Sequence, residues 1–299
     1  MQNFSRAQES APKQFQMALE MSRLQWLVSH PEFKRDPVRV MRGVVSWEIH
    51  KLLSRNMSLD LDGAKLTSRP FDGNGRLICY FGPRFDNIHE FLKIFLKDGM
   101  IFVDVGANIG SHTITAARLV GPTGSVYAFE PDLDTYRLLL ANIELNHLGN
   151  VIVRQTCVSD DVGVVSFFKH RDSAKSSIVD RGEKVAVTLP ADKLDNMIPP
   201  DLKIDILKID VEGAEMRVLG GATRTFSSPR PPSIVIIEVF DVRDATDKSA
   251  GIRELLEGYG YEFYVYKGHK LTKFTGVALN AFAIHKSALG RVLQEIPHD

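Results

Sequence analysis

The chain has 299 residues, of which 44 % are hydrophobic and 25 % charged, and these ordinary globular values exclude a disordered or fibrous protein. Lys+Arg and Asp+Glu each number 37, so the formal net charge is zero, which argues against a nucleic-acid partner. Two cysteines, Cys79 and Cys157, are too few for a disulfide framework or a thiolate metal site. With no signal-type start and no apolar run near ~18 residues, we expect a cytoplasmic protein without a transmembrane segment.

Residues 1–60 have helical patterning and few landmarks, so we expect a helical N-terminal appendage there. Its apolar positions form two stripes, one of Phe15, Ala18, Leu19, Trp26 and Leu27 and one running from Val38 through Val45 and Ile49 to Leu53. Pro31 and Pro37 interrupt the pattern. A dimer arm and a substrate lid remain alternatives to simple packing on the main domain.

Residues 61–299 are predicted to form one α/β domain. Asp62-Gly63 and Asp72-Gly73 are turn signals that indicate a small β-meander over 61–85. Beyond it, strand-like runs fall at 101–106, 125–130, 151–159, 205–210, 233–239, 261–267 and 280–286, with helical runs at 109–119, 132–147, 214–226 and 248–258. A hairpin-like insert precedes the fourth of these strands. Such alternation predicts a Rossmann-like, mainly parallel sheet covered by helices, and the short final connection predicts an antiparallel last pair.

The run from Phe102 to Gly110 ends a β-branched strand, turns on small residues and enters a helix. At such a turn a nucleotide-like ligand lies at the carboxyl ends of the strands, with Gly106 and Gly110 allowing close approach. Glu130 ends the next strand, where an acidic residue accepts hydrogen bonds from a ribose diol. Asp104 would repel a pyrophosphate and attract an ammonium group. A ribose-containing ligand with a cationic amino-acid end, S-adenosyl-L-methionine, therefore fits best.

Five segments, VDVGANIG, AFEP, VSD, LKIDVEGAE and IVIIEV, occur in this order and resemble the FkbM-type S-adenosylmethionine-dependent methyltransferases over residues 90–286. The resemblance implies the seven-stranded class I methyltransferase fold, strand order 3-2-1-4-5-7-6 with strand 7 antiparallel. It also implies cofactor contacts. The methionine part would lie on Asp104, Gly106, Ala107, Asn108 and Gly110, the ribose on Glu130, and the adenine near Asp160 and the backbone of Val158.

Methyl transfer to an alcohol needs an aligned acceptor and a group that takes the alcohol proton. Asp210 and Glu212 follow the fourth strand, where the reacting sulfur would face the acceptor. We assign proton acceptance to Asp210, with Glu212 as a supporting or alternative base. Glu238 and Asp241 follow the fifth strand, so we expect Asp210 and Glu238 to face each other with Asp241 near. Such oxygen ligands suit Mg²⁺, but a hydrogen-bonded carboxylate cluster is the simpler interpretation, and no metal site is predicted. His112 and His285 are weaker candidate bases, since a lone histidine usually serves packing.

These observations favour O-methylation of a hydroxyl, with the resemblance implying a sugar, glycan or polyketide-type small molecule as acceptor. One alternative is N-methylation of an amino sugar or similar compound. Another is a non-catalytic S-adenosylmethionine-binding protein with a regulatory or scaffold role, which could dispense with Asp210 and Glu212. The acceptor, the oligomeric state and the role of residues 1–60 are not encoded in any pattern we can interpret.

Overall fold

In the computed structural model of this chain, the described residues are 23–170, 172–180, 185–241, 246–247, 249–276 and 278–298. Three positions of the first predicted apolar stripe, Phe15, Ala18 and Leu19, lie outside these residues. No helix of the described ranges is both long and apolar enough to cross a bilayer.

Between Arg23 and Phe95, the structure describes three α-helices, a β-hairpin and two further α-helices. In chain order these are α1 (Arg23–Ser29), α2 (Pro31–Arg35), α3 (Pro37–Leu52), β1 (Met57–Leu61), β2 (Ala64–Ser68), α4 (Gly73–Phe81) and α5 (Asn87–Phe95). The central part contains β3 (Ile101–Val105), α6 (Ser111–Val120), β4 (Ser125–Phe129), α7 (Leu133–Leu145), β5 (Val151–Arg154), β6 (Cys157–Val158), β7 (Gly163–Lys169), β8 (Val185–Asp192), α8 (Leu194–Met197) and β9 (Ile206–Ile209).

The C-terminal part completes the main sheet. Its elements are α9 (Glu215–Gly220), α10 (Thr223–Ser227), β10 (Ile234–Glu238), β11 (Phe240–Asp241), β12 (Thr246–Asp247), α11 (Ser249–Gly258), β13 (Tyr261–Lys267), β14 (Lys270–Lys273), β15 (Asn280–His285) and α12 (Lys286–Glu295). The helix predicted over 214–226 is thus two short helices, α9 and α10.

Two N-terminal helices begin at the prolines that interrupt the helical pattern of the sequence. Pro31 and Pro37 occupy the first turns of α2 and α3, where a missing N–H costs nothing, and the side chains of His30 and Asp36 cap these helices. Helix α3 packs so closely on α4 that a Cβ on Gly43 would collide with the carbonyl oxygen of Cys79.

The second predicted apolar stripe faces outward rather than into the protein. Val38, Val45 and Ile49 are 60 %, 55 % and 49 % exposed, whereas Val40 and Trp47 on the opposite side of α3 are buried. The helix is apolar on two faces, so periodicity alone could not decide which face would pack.

The meander predicted over 61–85 is wrong in its second half. Strands β1 and β2 pair antiparallel over Met57–Ser68, and α4 follows. Asp72 is the N-cap of that helix, since its carboxylate accepts the N–H of Gly75. The Asp72-Gly73 signal therefore marks a helix start and not a hairpin turn.

The main sheet has eight strands in the order β14-β13-β15-β10-β9-β3-β4-β5. The pairs among β10, β9, β3, β4 and β5 are parallel, and β15 runs antiparallel to both β10 and β13. Without the extra edge strand β14, this is the order 3-2-1-4-5-7-6 with strand 7 antiparallel. The expected α/β class I methyltransferase fold is confirmed.

Hydrophobic cores cover both faces of this sheet. Alternate residues of β10 enter different cores: Ile234 and Ile236 join one, and Val235 and Ile237 join the other. The predicted strand over 151–159 divides, because only β5 stays in the main sheet. Strand β6 pairs with β8, and β8 pairs with β7, in a small separate sheet.

Candidate active site

A cavity of about 720 Å³, including its open mouth, lies at the carboxyl ends of β3, β4 and β9. Its position is where ligands bind in open parallel sheets. The residues that line it include Asn74, Gly106, Asn108, Glu130, Val158, Ser173, Ser176, Ser177, Asp210 and Glu212.

The turn after β3 forms the floor of the cavity. Gly106 has a φ of 83°, and a Cβ there would collide with the carbonyl oxygen of Asp210. Only glycine fits at this place, because the backbone at the end of β9 approaches the turn too closely for a side chain. Asn108 follows in the left-handed region, with a φ of 51°, and its backbone N–H points to Glu130.

Glu130, directly after β4, is buried and has no cation in contact among the described residues. Its Oε2 accepts the N–H of Asn108 at 2.9 Å and its Oε1 accepts the N–H of Asp132 at 3.0 Å. Burial raises the pKa of Glu130 to about 8, although these two N–H groups oppose the shift. Each carboxylate oxygen can accept more than one hydrogen bond, so Glu130 retains capacity for donors from a ligand.

Asp104 lies beneath the turn, fully buried, and does not line the cavity. Its carboxylate accepts from Thr113 Oγ1 at 2.7 Å and from Lys208 Nζ at 3.1 Å. The protein itself therefore satisfies this charge. The expected contact of Asp104 with the ammonium of a cofactor remains a prediction.

Asp210 and Glu212 lie together at the end of β9, on the wall of the cavity. Asp210 Oδ2 is 3.4 Å from Lys208 Nζ, and its side chain is 36 % exposed. Glu212 has a φ of 57°, a conformation uncommon for non-glycine residues that is held by its surroundings and is typical of functional sites.

A polar segment, residues 172–178, covers one side of the cavity, and we call it the roof segment. Asp172 Oδ1 accepts the N–H of Gly73 at 2.8 Å, and Ser173 Oγ donates to Asp72 Oδ2 at 2.8 Å. Ser177 Oγ donates to the carbonyl of Val211 at 3.2 Å, next to Asp210. The roof segment thus joins the start of α4 to the end of β9.

The Methyltransferase FkbM domain model matches residues 104–263, more than half of the chain, and includes the glycine turn, Glu130 and Asp210. The chain belongs to the FkbM methyltransferase family.

Two relatives carry informative names. The hexuronic acid methyltransferase AglP of Haloferax volcanii is 32 % identical over 168 residues, 54 % of this chain and 65 % of that protein, so the chain spans less than two thirds of its length. The 31-O-demethyl-FK506 methyltransferase FkbM of Streptomyces tacrolimicus is 30 % identical over 201 residues, 56 % of this chain and 74 % of that protein. A solved SAM-dependent O-methyltransferase from Thermotoga maritima superposes with a TM-score of 0.38 at 14 % identity, covering 77 % of each chain.

S-adenosyl-L-methionine is the cofactor of this FkbM methyltransferase, and the cavity fits it on three observations. Gly106 brings bare backbone to the cavity lining, and Glu130 is a buried acceptor with no cationic partner among the described residues. No Lys or Arg of the described residues lines the cavity, as suits a ligand that brings its own positive charge. Glu130 would hold the ribose hydroxyls, and the turn with Gly106 and Asn108 would hold the methionine part.

The sequence-predicted residues separate into two groups. Six of them line the cavity, namely Gly106, Asn108, Glu130, Val158, Asp210 and Glu212, whereas Asp104, Ala107, Gly110 and Asp160 do not. Asp104, Ala107 and Gly110 belong to the same turn but lie behind its surface, and a Cβ on Gly110 would meet Leu139. Asp160 Oδ1 instead accepts from Arg217 Nε at 2.8 Å. The individual roles of these residues remain predictions.

The weaker candidates have other surroundings. His112 Nε2 is 2.9 Å from Asp86 Oδ2, and His285 contacts Ser287 through Nδ1. Neither histidine lines the cavity. Glu238 is buried at the end of β10, and of the side chain of Asp241 nothing is described. Within the described ranges, no three His, Cys, Asp or Glu residues are grouped as a metal site would require.

Sequence reasoning missed two parts of the site. One is Lys208, whose position in an apolar strand was itself a signal, because a buried ammonium needs carboxylate partners. The other is the roof segment. No local pattern marks it, because only the fold brings Asp172 to the N-terminus of α4.

Proposed function

We propose that this FkbM methyltransferase transfers a methyl group from S-adenosyl-L-methionine to a hydroxyl oxygen of a sugar, glycan or polyketide-type small molecule. The observation that carries the proposal is the Asp210 carboxylate, which is partly exposed on the wall of a cavity whose other side is the glycine turn and Glu130. The names of the two relatives, one acting on a hexuronic acid and one on an FK506 precursor, support an oxygen-rich acceptor.

The bound cofactor would supply an electrophilic methyl carbon on a sulfonium. The residues of this chain then have two tasks, to align the acceptor hydroxyl and to take its proton as the oxygen attacks. In this proposal Asp210 takes the proton, and Lys208 contacts one of its oxygens. Glu212, two residues further on, supports this role or replaces it.

The lining favours a neutral, hydroxyl-bearing acceptor. Asn74, Ser173, Ser176 and Ser177 offer amide and hydroxyl groups to the cavity. These groups both donate and accept hydrogen bonds, as polyols require. N-methylation is less well supported. The carboxylates of Asp210 and Glu212 would hold an amine as its ammonium ion, which has no lone pair for attack.

The test uses a panel of acceptors with the purified protein and S-adenosyl-L-methionine: a neutral hexose glycoside, a hexuronic acid glycoside, a polyketide alcohol and an amino sugar. Tandem mass spectrometry would locate the added methyl group. We expect it on oxygen, and methylation of nitrogen would replace the proposal by its alternative. Binding of S-adenosylhomocysteine without any product across the panel would favour a non-catalytic, cofactor-binding protein.

Asp210→Asn is the matching variant. We expect it to lower kcat by about 100-fold or more, in the range of general-base contributions, with little change in S-adenosylhomocysteine affinity. Glu212→Gln, measured alongside, shows which carboxylate takes the proton. Loss of S-adenosylhomocysteine binding on Asp210→Ala would instead indicate that this carboxylate holds the cofactor.

A further inference from the structure

Lys208 is a buried ammonium group between the two halves of the site. Its side chain is 2 % exposed, and Nζ lies 3.1 Å from Asp104 Oδ1, 3.3 Å from the carbonyl oxygen of Gly106 and 3.4 Å from Asp210 Oδ2. A lysine ammonium has three N–H donors, and here it meets three acceptors. None of these donors remains for a ligand.

The strand register brings these groups together. Lys208 of β9 is paired with Asp104 of β3 in the parallel ladder, so their side chains lie on the same face of the sheet. Asp210 is two residues beyond Lys208 and shares that face. Gly106 is two residues beyond Asp104, where its carbonyl turns toward the ammonium.

We propose that Lys208 is a positioning residue that couples the cofactor floor to the acceptor side of the site: it fixes the Gly106 turn and orients the Asp210 carboxylate through one ammonium group. This inference rests on the proposed function for the role of Asp210, whereas its cofactor half stands on the geometry of the turn alone. Lys208 itself contacts no ligand and transfers no proton.

Lysine is the residue type that this place requires. An apolar residue of similar length would leave the carboxylates of Asp104 and Asp210 facing each other without a cation. Arginine has a planar fork of donors that suits bidentate partners, not three acceptors in three directions. Two further groups complete the surroundings, Thr113, which donates to Asp104, and Glu130, whose charge interacts with that of Asp104.

The test compares Lys208→Met and Lys208→Arg with the wild type by two readouts. Calorimetric titration with S-adenosylhomocysteine is expected to show about tenfold weaker binding for Lys208→Met. In the acceptor assay, kcat of Lys208→Met is expected to fall by about tenfold with little change in KM for the acceptor, because Asp210 then lacks the contact that orients it. Lys208→Arg should recover part of the affinity and should not recover the wild-type kcat.

A folding defect is separated from a positioning defect with Asp104→Asn/Lys208→Met, which removes both charges of the buried pair. We expect this double variant to fold and to keep a lowered kcat, since Asp210 still lacks its anchor. Unchanged kcat and unchanged S-adenosylhomocysteine affinity in folded Lys208 variants, with only thermal stability reduced, would overturn the inference. Failure of the proposed function looks different: the wild type then methylates no acceptor, while Lys208→Met still weakens cofactor binding.

Discussion

Asp104 and Glu130 are both buried carboxyl groups at the carboxyl edge of neighbouring strands, yet they are satisfied in different ways. Asp104 contacts the Lys208 ammonium and a threonine hydroxyl, whereas the donors to Glu130 in the described part of the chain are two backbone N–H groups. A buried charge with a cation of its own is part of the framework. A buried carboxyl group without one is placed for a ligand, and its environment disfavours the ionised form until donors arrive.

The largest effect on the free energy of unfolding is expected from removing the Asp104 carboxylate. Asp104→Ala leaves Lys208 with Asp210 as its remaining carboxylate, and loss of one partner of a buried ion pair costs about 3–5 kcal/mol. Denaturant unfolding measures this change. Glu257→Ala is the control, because its exposed pair with Arg253 should contribute within about 1 kcal/mol. Equal losses from the two variants would show that the Asp104 pair is not structural.

The pH dependence of the free energy of unfolding tests the Glu130 half of this comparison. The pKa of Glu130 is raised to about 8 in the folded chain, so its contribution to stability is fully present below the pKa of an unfolded glutamate and is lost as the pH rises through about 8. The free energy of unfolding of the ligand-free protein should therefore fall between about pH 4.5 and 8.

Glu130→Gln, which cannot ionise, should remove that Glu130-dependent decline. Saturating S-adenosylhomocysteine should reduce it in the wild type, because ligand hydroxyls stabilise the carboxylate. Unfolding curves collected from pH 5 to about 9, with and without ligand, make the comparison. Identical pH profiles for the wild type and Glu130→Gln would mean that Glu130 titrates normally.

A smaller effect is expected at the roof segment. Ser173→Ala removes the hydroxyl that donates to Asp72 and faces the Asn108 amide. One hydrogen bond contributes about 0.5–1.5 kcal/mol, so S-adenosylhomocysteine affinity should fall by roughly two- to tenfold if the roof segment closes over the cofactor. The matched control is Ser287→Ala, which lies far along the chain beside His285. No difference between these two variants would remove the roof segment from the cofactor site.

Asp160→Asn is expected to have the smallest effect. Asp160 is paired with Arg217 outside the cavity lining, and that pair is largely exposed. Calorimetry should find S-adenosylhomocysteine affinity within about twofold of the wild type, since exposed ion pairs contribute little. A tenfold loss would restore the adenine-side role that the sequence predicts for this residue.

The local patterns predicted the strands, the glycine turn and Glu130 because these depend on short-range spacing: small residues after a β-branched run, and an acid after the next strand. The family resemblance supplied the strand order. The outward face of α3 was not predictable, since Val38 and Val40 are equally apolar and only tertiary packing chooses between them. The Lys208 contacts were hidden for another reason, because Asp104 and Lys208 are paired by the register of strands distant in sequence.

The most direct measurement is calorimetric titration of the wild type and Glu130→Gln with S-adenosylhomocysteine, beside NAD and ATP. The account predicts selective micromolar binding of S-adenosylhomocysteine to the wild type. It also predicts at least tenfold weaker binding to Glu130→Gln, which is about 1.4 kcal/mol. Equal binding by a folded Glu130→Gln, or no binding of S-adenosylhomocysteine to the folded wild type, would contradict the assignment of this cavity as the cofactor site.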